Sequence, residues 1–238
     1  MSDAYVILLS SAAVLGVMHT AIGVDHSLPF VVLAKTRSWS LSRTLSITAV
    51  CGVLHVMSSV LVAALGLFLG VAGSQLSAVE QTRGSWAAWV LVGFGLTYSV
   101  VALIKTRLRA AERADRVFSH RHGKHGAHLV DSVDSEAMPA CRLMPTLFIV
   151  FALGPCEALL PLLTASGITL SLAESGFVAL VFSLATVATM LLLVLVGYLG
   201  VSSVPQFERW AARLQPHSHV LAGVALSASG LVIQIFGV

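Results

Sequence analysis

Gly16-Val-Met-His19-Thr-Ala-Ile-Gly23-Val-Asp25-His26-Ser-Leu-Pro29-Phe30 lies inside an apolar run that reaches from Ala4 to Ala34. A run of about 30 residues is more than a bilayer needs, since roughly 20 apolar residues suffice to cross one. This one nevertheless holds an aspartate, two histidines, two glycines and a proline. A charged side chain at the centre of a spanning helix costs roughly 2.5–3.5 kcal/mol on insertion scales. Such residues face a cavity, pair with one another, or line the path of an ion or substrate. Three ionisable groups within eight residues, set at a helix breaker, favour a functional site over a simple polar contact between helices.

The rest of the composition agrees with a membrane setting. Apolar residues make up 57% of the 238 and charged residues 11%, against about 25% charged in a soluble domain. Mean hydropathy is +0.91. The net charge of +3 comes from loops, so nucleic-acid binding is not called for. Three cysteines in dissimilar settings form neither a disulfide framework nor a zinc knuckle. Met1-Ser2-Asp3 has no basic n-region, and the first apolar run is too long for a cleaved signal, so it reads as a retained span.

Six spans are expected, at 4–34, 44–71, 85–104, 143–167, 175–200 and 218–238. Lys35, Arg37 and Arg43, the basic residues from Lys105 to Arg142, and Arg209 and Arg213 fall on one side, and Arg83 alone on the other. That split of 13 to 1 predicts a multi-pass protein of the cell (inner) membrane with both termini outside the cytoplasm. Trp86 and Trp89 sit at the outer edge of the third span, as interfacial rings do. With loops and termini set aside, Asp25 and Glu157 are the acidic residues that this reading leaves inside spans.

Three spans, a long polar loop and three more spans describe a duplicated chain. A repeat with an odd number of spans inserts in opposite orientations, the inverted-repeat plan of many transporters. The expected fold is therefore an all-α polytopic membrane protein, six transmembrane helices as two inverted three-helix repeats with broken first and fourth spans. Its parts are the repeat 1–104, a cytoplasmic basic and histidine-rich loop at 105–142, and the repeat 143–238. Gly23-Val-Asp25-His26-Ser-Leu28 and Gly154-Pro-Cys156-Glu157-Ala-Leu159 are the two breaks, with Pro29 and Pro161 soon after. Interrupted helices at matching places of two halves point to a binding site near the membrane midplane.

In the second span Cys51, His55, Ser58 and Ser59 share one helical face. The fifth span has a comparable stripe in Ser183, Thr186, Thr189 and Met190, read as interhelical hydrogen bonding. In the sixth, Ala222, Gly223, Ser227, Ser229 and Gly230 form a small-residue pattern that reads as close packing. In the central loop, Lys105 to Phe118 is expected as a cationic helical extension on the anionic inner leaflet. His120, His122, His125 and His128 follow, four imidazoles in nine residues, expected as an accessory metal site.

The donors His19, Asp25, His26, His55, Cys156 and Glu157 mix nitrogen, oxygen and sulfur, which suits a borderline transition metal better than magnesium or calcium. In an unbroken helix His19 and His26 would stand roughly 10.5 Å apart along the axis. Both reach one ion only if Gly23 marks an unwound segment; otherwise they serve successive positions along a path.

His19-x5-Asp25-His26-x2-Pro29-Phe30, Ala34-Lys35-x-Arg37-x-Trp39-Ser40-Leu41, His55-x2-Ser58-Ser59, the histidine-rich loop and Phe151-x2-Gly154-Pro155-Cys156-Glu157-x3-Pro161-Leu162 resemble the NicO/UreH-like branch of the nickel–cobalt permeases. The better-known signature of that family is His-x4-Asp-His, one residue shorter than here. The resemblance implies a six-span permease, not an enzyme. Ni2+ or Co2+ would be its substrate, with no permanent cofactor, and His19, Asp25 and His26 would contact the metal. Expected partners are the lipid bilayer and the metal ion, with no nucleic acid and with room for a homo-oligomer.

Other readings stay open. Transmembrane thiol carriers of the cytochrome-c-biogenesis type also have two three-span halves with a Pro-Cys pair at the breaks. Cys156 after Pro155 is similar, although the first-span counterpart is Asp25-His26 and a reversible disulfide would have to use Cys51. An exporter of small anions would be expected to place arginine or lysine in the spans, and an assembly factor that chaperones metal is a third reading.

Overall fold

The computed structural model describes residues 2–23, 26–71, 73–119, 140–154, 156, 158–203 and 218–236. Among them the regular elements are eight helices: α1 (Asp3–Ile22), α2 (Leu28–Thr36), α3 (Leu41–Phe68), α4 (Gly73–Ser119), α5 (Ala140–Leu153), α6 (Leu159–Thr169), α7 (Leu172–Ser203) and α8 (Ser218–Phe236). Four of them contain segments long and apolar enough to cross a membrane, in α1, α3, α4 and α7, and two shorter apolar helices lie at Leu159–Thr169 and His219–Ile235. The chain is an all-helical polytopic membrane protein.

Helix starts follow local chemistry. Ser2 and Ser40 cap α1 and α3, their hydroxyls accepting from the Tyr5 and Arg43 N–H groups at 3.3 Å each. Ahead of α7, Ser171 and Glu174 form a reciprocal box: the Ser171 N–H donates to the Glu174 carboxylate at 3.0 Å and the Glu174 N–H to the Ser171 hydroxyl at 3.4 Å.

Both expected breaks are present. The stretch 4–34 is two helices: α1 closes on Gly23, whose N–H bonds the His19 carbonyl at 3.1 Å, and α2 restarts with Pro29 in its first turn. The stretch 143–167 likewise divides, with α5 ending at Leu153 and α6 beginning at Leu159.

The third expected span, 85–104, needs correction. Helix α4 begins at Gly73 and runs unbroken to Ser119, so Glu80 and Arg83 belong to a spanning helix rather than to a loop. Glu80 is fully buried, and Asp25 and Glu157 are therefore not the whole set of acidic residues within the spans. The cationic stretch from Lys105 to Phe118 is helical as expected, but as a continuation of α4.

Packing forms two apolar clusters. One, around Phe30, Leu91, Tyr98, Phe151 and Leu226, joins α2, α4, α5 and α8. The other, around Ala12, Ala63, Leu159, Leu163 and Phe182, joins α1, α3, α6 and α7. At the close crossing of α4 and α8 a Cβ at Gly223 would stand 2.5 Å from the Gly95 carbonyl oxygen. Ser99 donates across the crossing to the Val220 carbonyl at 3.0 Å and Ser227 to that of Val92 at 3.2 Å. The small residues of the last helix thus serve packing, as their pattern indicated.

Candidate functional site

A Gly23–His26 turn follows α1. The His26 N–H donates to the Gly23 carbonyl at 3.2 Å, and His26 Nδ1 lies 3.3 Å from the same oxygen. That turn swings the His26 ring to 4.9 Å from the His19 ring, edge to face. Of the two arrangements the sequence left open, the unwound segment is the one formed.

His55 on α3 completes the group. Its ring centroid is 5.1 Å from that of His26 and 6.2 Å from that of His19, stacked at 10° on the latter. Its Nδ1 lies 3.3 Å from the Phe151 carbonyl oxygen at the end of α5. Gly154 is needed at this contact, because a Cβ there would meet His55 Nδ1 at 3.0 Å. A carbonyl oxygen only accepts, so Nδ1 of His26 and of His55 is the donor in these two contacts. His26 and His55 are 3% and 2% exposed, and His19 is half-buried.

One ring nitrogen from each of His19, His26 and His55 lies within 4.8 Å of the others. The second break adds sulfur: Cys156 Sγ is 3.7 Å from His19 Nε2. Phe30 of α2 and Phe151 of α5 touch at 4.7 Å between ring centroids, so the two breaks stand side by side. The four described candidates thus fall into one group, with His26, His55 and Cys156 buried and His19 half-buried. Asp25, Glu157, His120, His122, His125 and His128 lie outside the described residues. Cys51, on the same face of α3 one turn before His55, packs in the other apolar cluster from Cys156, and neither cysteine is in a disulfide.

Behind Cys156 is a buried polar group that the sequence reading passed over. Glu80 accepts from the Ser59 hydroxyl at 3.3 Å and from the Cys156 N–H at 3.4 Å, and its carboxylate is paired with Arg83. Arg83 also donates to Ser58 Oγ and to the Ala152 carbonyl, each at 2.9 Å. The sequence signal was Glu80-x2-Arg83, an opposite-charge pair at helical spacing, with Ser58 and Ser59 already marked on the facing side of α3.

The chemistry open to this arrangement is of two kinds. An imidazole touching a thiol can take its proton and leave the thiolate, the reactive form of cysteine. Three converging imidazoles with a sulfur beside them are also a donor set for a transition metal.

The family model described as the cytochrome C biogenesis protein transmembrane region matches residues 55–232, about three quarters of the chain. No curated protein and no solved structure matches it. The match corrects the likeness to nickel–cobalt permeases, and the expectation of nickel or cobalt transport falls with it. The physical reason lies in the donors: His19-x5-Asp25-His26 precedes the matched segment, while Gly154-Pro155-Cys156 lies inside it. Imidazole, carboxylate and thiol serve proton and sulfur chemistry as readily as metal ligation, so their presence in a span did not by itself select a permease.

Proposed function

The chain belongs to the cytochrome C biogenesis protein transmembrane region family, and from that membership we propose that it is a membrane-embedded thiol carrier whose working sulfur is Cys156. The contact of Cys156 Sγ with His19 Nε2 at 3.7 Å carries the reading. His19 takes the thiol proton, and the Cys156 thiolate attacks a disulfide of an acceptor protein. The acceptor's S–S bond breaks as a mixed disulfide with Cys156 forms, and the departing thiolate takes the proton back from His19. One thiol of a donor dithiol then displaces the acceptor's remaining sulfur from Cys156, and the donor's second thiol closes the donor disulfide and frees Cys156. Two electrons pass from donor to acceptor, and Cys51 is not required. Six spans in two inverted repeats, broken in the first and fourth, would let Cys156 face the two membrane sides in turn.

The test is thiol trapping in membranes that contain the full chain. After challenge with a disulfide and acid quench, alkylation with a large maleimide should show Cys156 as a mixed disulfide in wild type and in Cys51→Ser. The species should vanish in Cys156→Ser. Delivery of reducing equivalents across the membrane that is unchanged in Cys156→Ser would overturn the proposal.

A second reading is favoured by the convergence of three ring nitrogens within 4.8 Å. A metal–imidazole bond is about 2.0–2.1 Å, so two ligands of one tetrahedral ion stand roughly 3.4 Å apart. Side-chain movement of about an ångström would close His19, His26 and His55, with Cys156, around Zn2+ or Cu+. Equilibrium dialysis of the purified chain with each ion checks this: binding should be lost in His26→Ala, and a stoichiometry unchanged in that variant would exclude the centre.

A further inference from the structure

We propose that Glu80 and Arg83 are positioning residues that clasp the break between α5 and α6 and so hold Cys156 against His19. The inference rests on the reading of Cys156 as the working thiol. Arg83 grips the end of α5 through the Ala152 carbonyl at 2.9 Å, and Glu80 grips the middle of the break through the Cys156 N–H at 3.4 Å. The ion pair between them joins the two grips, and Ser58 and Ser59 tie both to α3, the helix that carries His55.

The placement has a physical logic. Where a helix breaks inside a membrane, its backbone groups lack the partners that a continuous helix supplies, and something else must satisfy them. A buried ion pair is a costly device for a purely apolar core and is retained where it fixes one arrangement. Here the pair is fully buried on its acidic side, with Glu80 at 0% exposure, and it lies against the one broken segment that bears a sulfur.

The experiment uses the full-length chain in membranes, with Cys51→Ser and Cys141→Ser leaving Cys156 as its only thiol. The rate of alkylation by a small maleimide at neutral pH is compared with that of the same chain carrying His19→Gln. Glu80→Ala with Arg83→Ala removes the clasp without leaving a lone buried charge. That double variant should react about tenfold more slowly than the parent and match His19→Gln. Glu80→Gln keeps an acceptor for Ser59 and the Cys156 N–H but leaves Arg83 without its carboxylate, so it should fall between the parent and the double variant. Either variant reacting as fast as the parent overturns the clasp. A parent no faster than His19→Gln strikes at the Cys156 reading instead, which separates the two failures.

Discussion

Cys156 Sγ and His19 Nε2 approach to 3.7 Å although 137 positions separate them in the chain. The contact exists because the helix leading to Cys156 is interrupted. Had α5 continued past Leu153, ordinary i to i+4 bonding would have carried the sulfur along the helix axis instead. A thiol held against an imidazole reacts as the thiolate.

His19→Gln should therefore slow maleimide capture of Cys156 by about tenfold, a barrier increase of about 1.4 kcal/mol. Rates measured at several pH values check the cause. The parent should be the faster of the two throughout. Identical profiles would show that the imidazole does not act on the sulfur.

Gly154 lies so close to His55 that an added methyl must displace the ring or the backbone. Gly154→Ala should cost about 1–3 kcal/mol through overpacking and weaken the His55–Phe151 bond. A thermal melt in detergent checks the direction. A midpoint equal to wild type would mean that the break relaxes without loss.

Much of the architecture was readable from residue order. Gly23 and Pro29, and Gly154 and Pro161, marked two breaks inside apolar runs, and both are formed. His55 was placed by helical spacing on the face that meets Phe151. Glu80 and Arg83 were missed for a definable reason. A hydropathy window averages over the polar stretch from Ser74 to Arg83 and reads loop, whereas the Glu80–Arg83 pair and the Ser59 contact let the helix carry that stretch inward. The family was misread because the motif that resembled a permease supplies donors common to both chemistries, and what decided the matter was the match over residues 55–232.

The crossing of α4 and α8 offers a packing test away from the site. A side chain at Gly223 would collide with Ser99 Oγ at 2.3 Å as well as with the Gly95 backbone. Gly223→Leu should force the helices apart and lower stability or membrane yield strongly. Gly176→Ala is the matched control, since nothing lies within 4 Å of its added Cβ and the change favours the helix by up to about 1 kcal/mol. Equal behaviour of the two variants would remove the case for a close crossing.

Orientation in the membrane follows from charge rather than from helix packing. Thirteen of the 14 basic residues fall to one side in the six-span reading, and basic segments near spans are retained in the cytoplasm. The remaining one, Arg83, is held by Glu80 inside α4 and so leaves the opposite face without a competing signal. Both termini should therefore lie outside the cytoplasm, with the segment 105–142 inside. Reporter fusions at Val238 and near Gly126 test this, since alkaline phosphatase is active only outside and a fluorescent protein folds readily inside. The expected pattern is phosphatase activity at Val238 and fluorescence at Gly126. A fluorescent C-terminal fusion would require an odd number of spans between Gly126 and Val238 to become even, which means that α5 with α6, α7 or α8 does not cross.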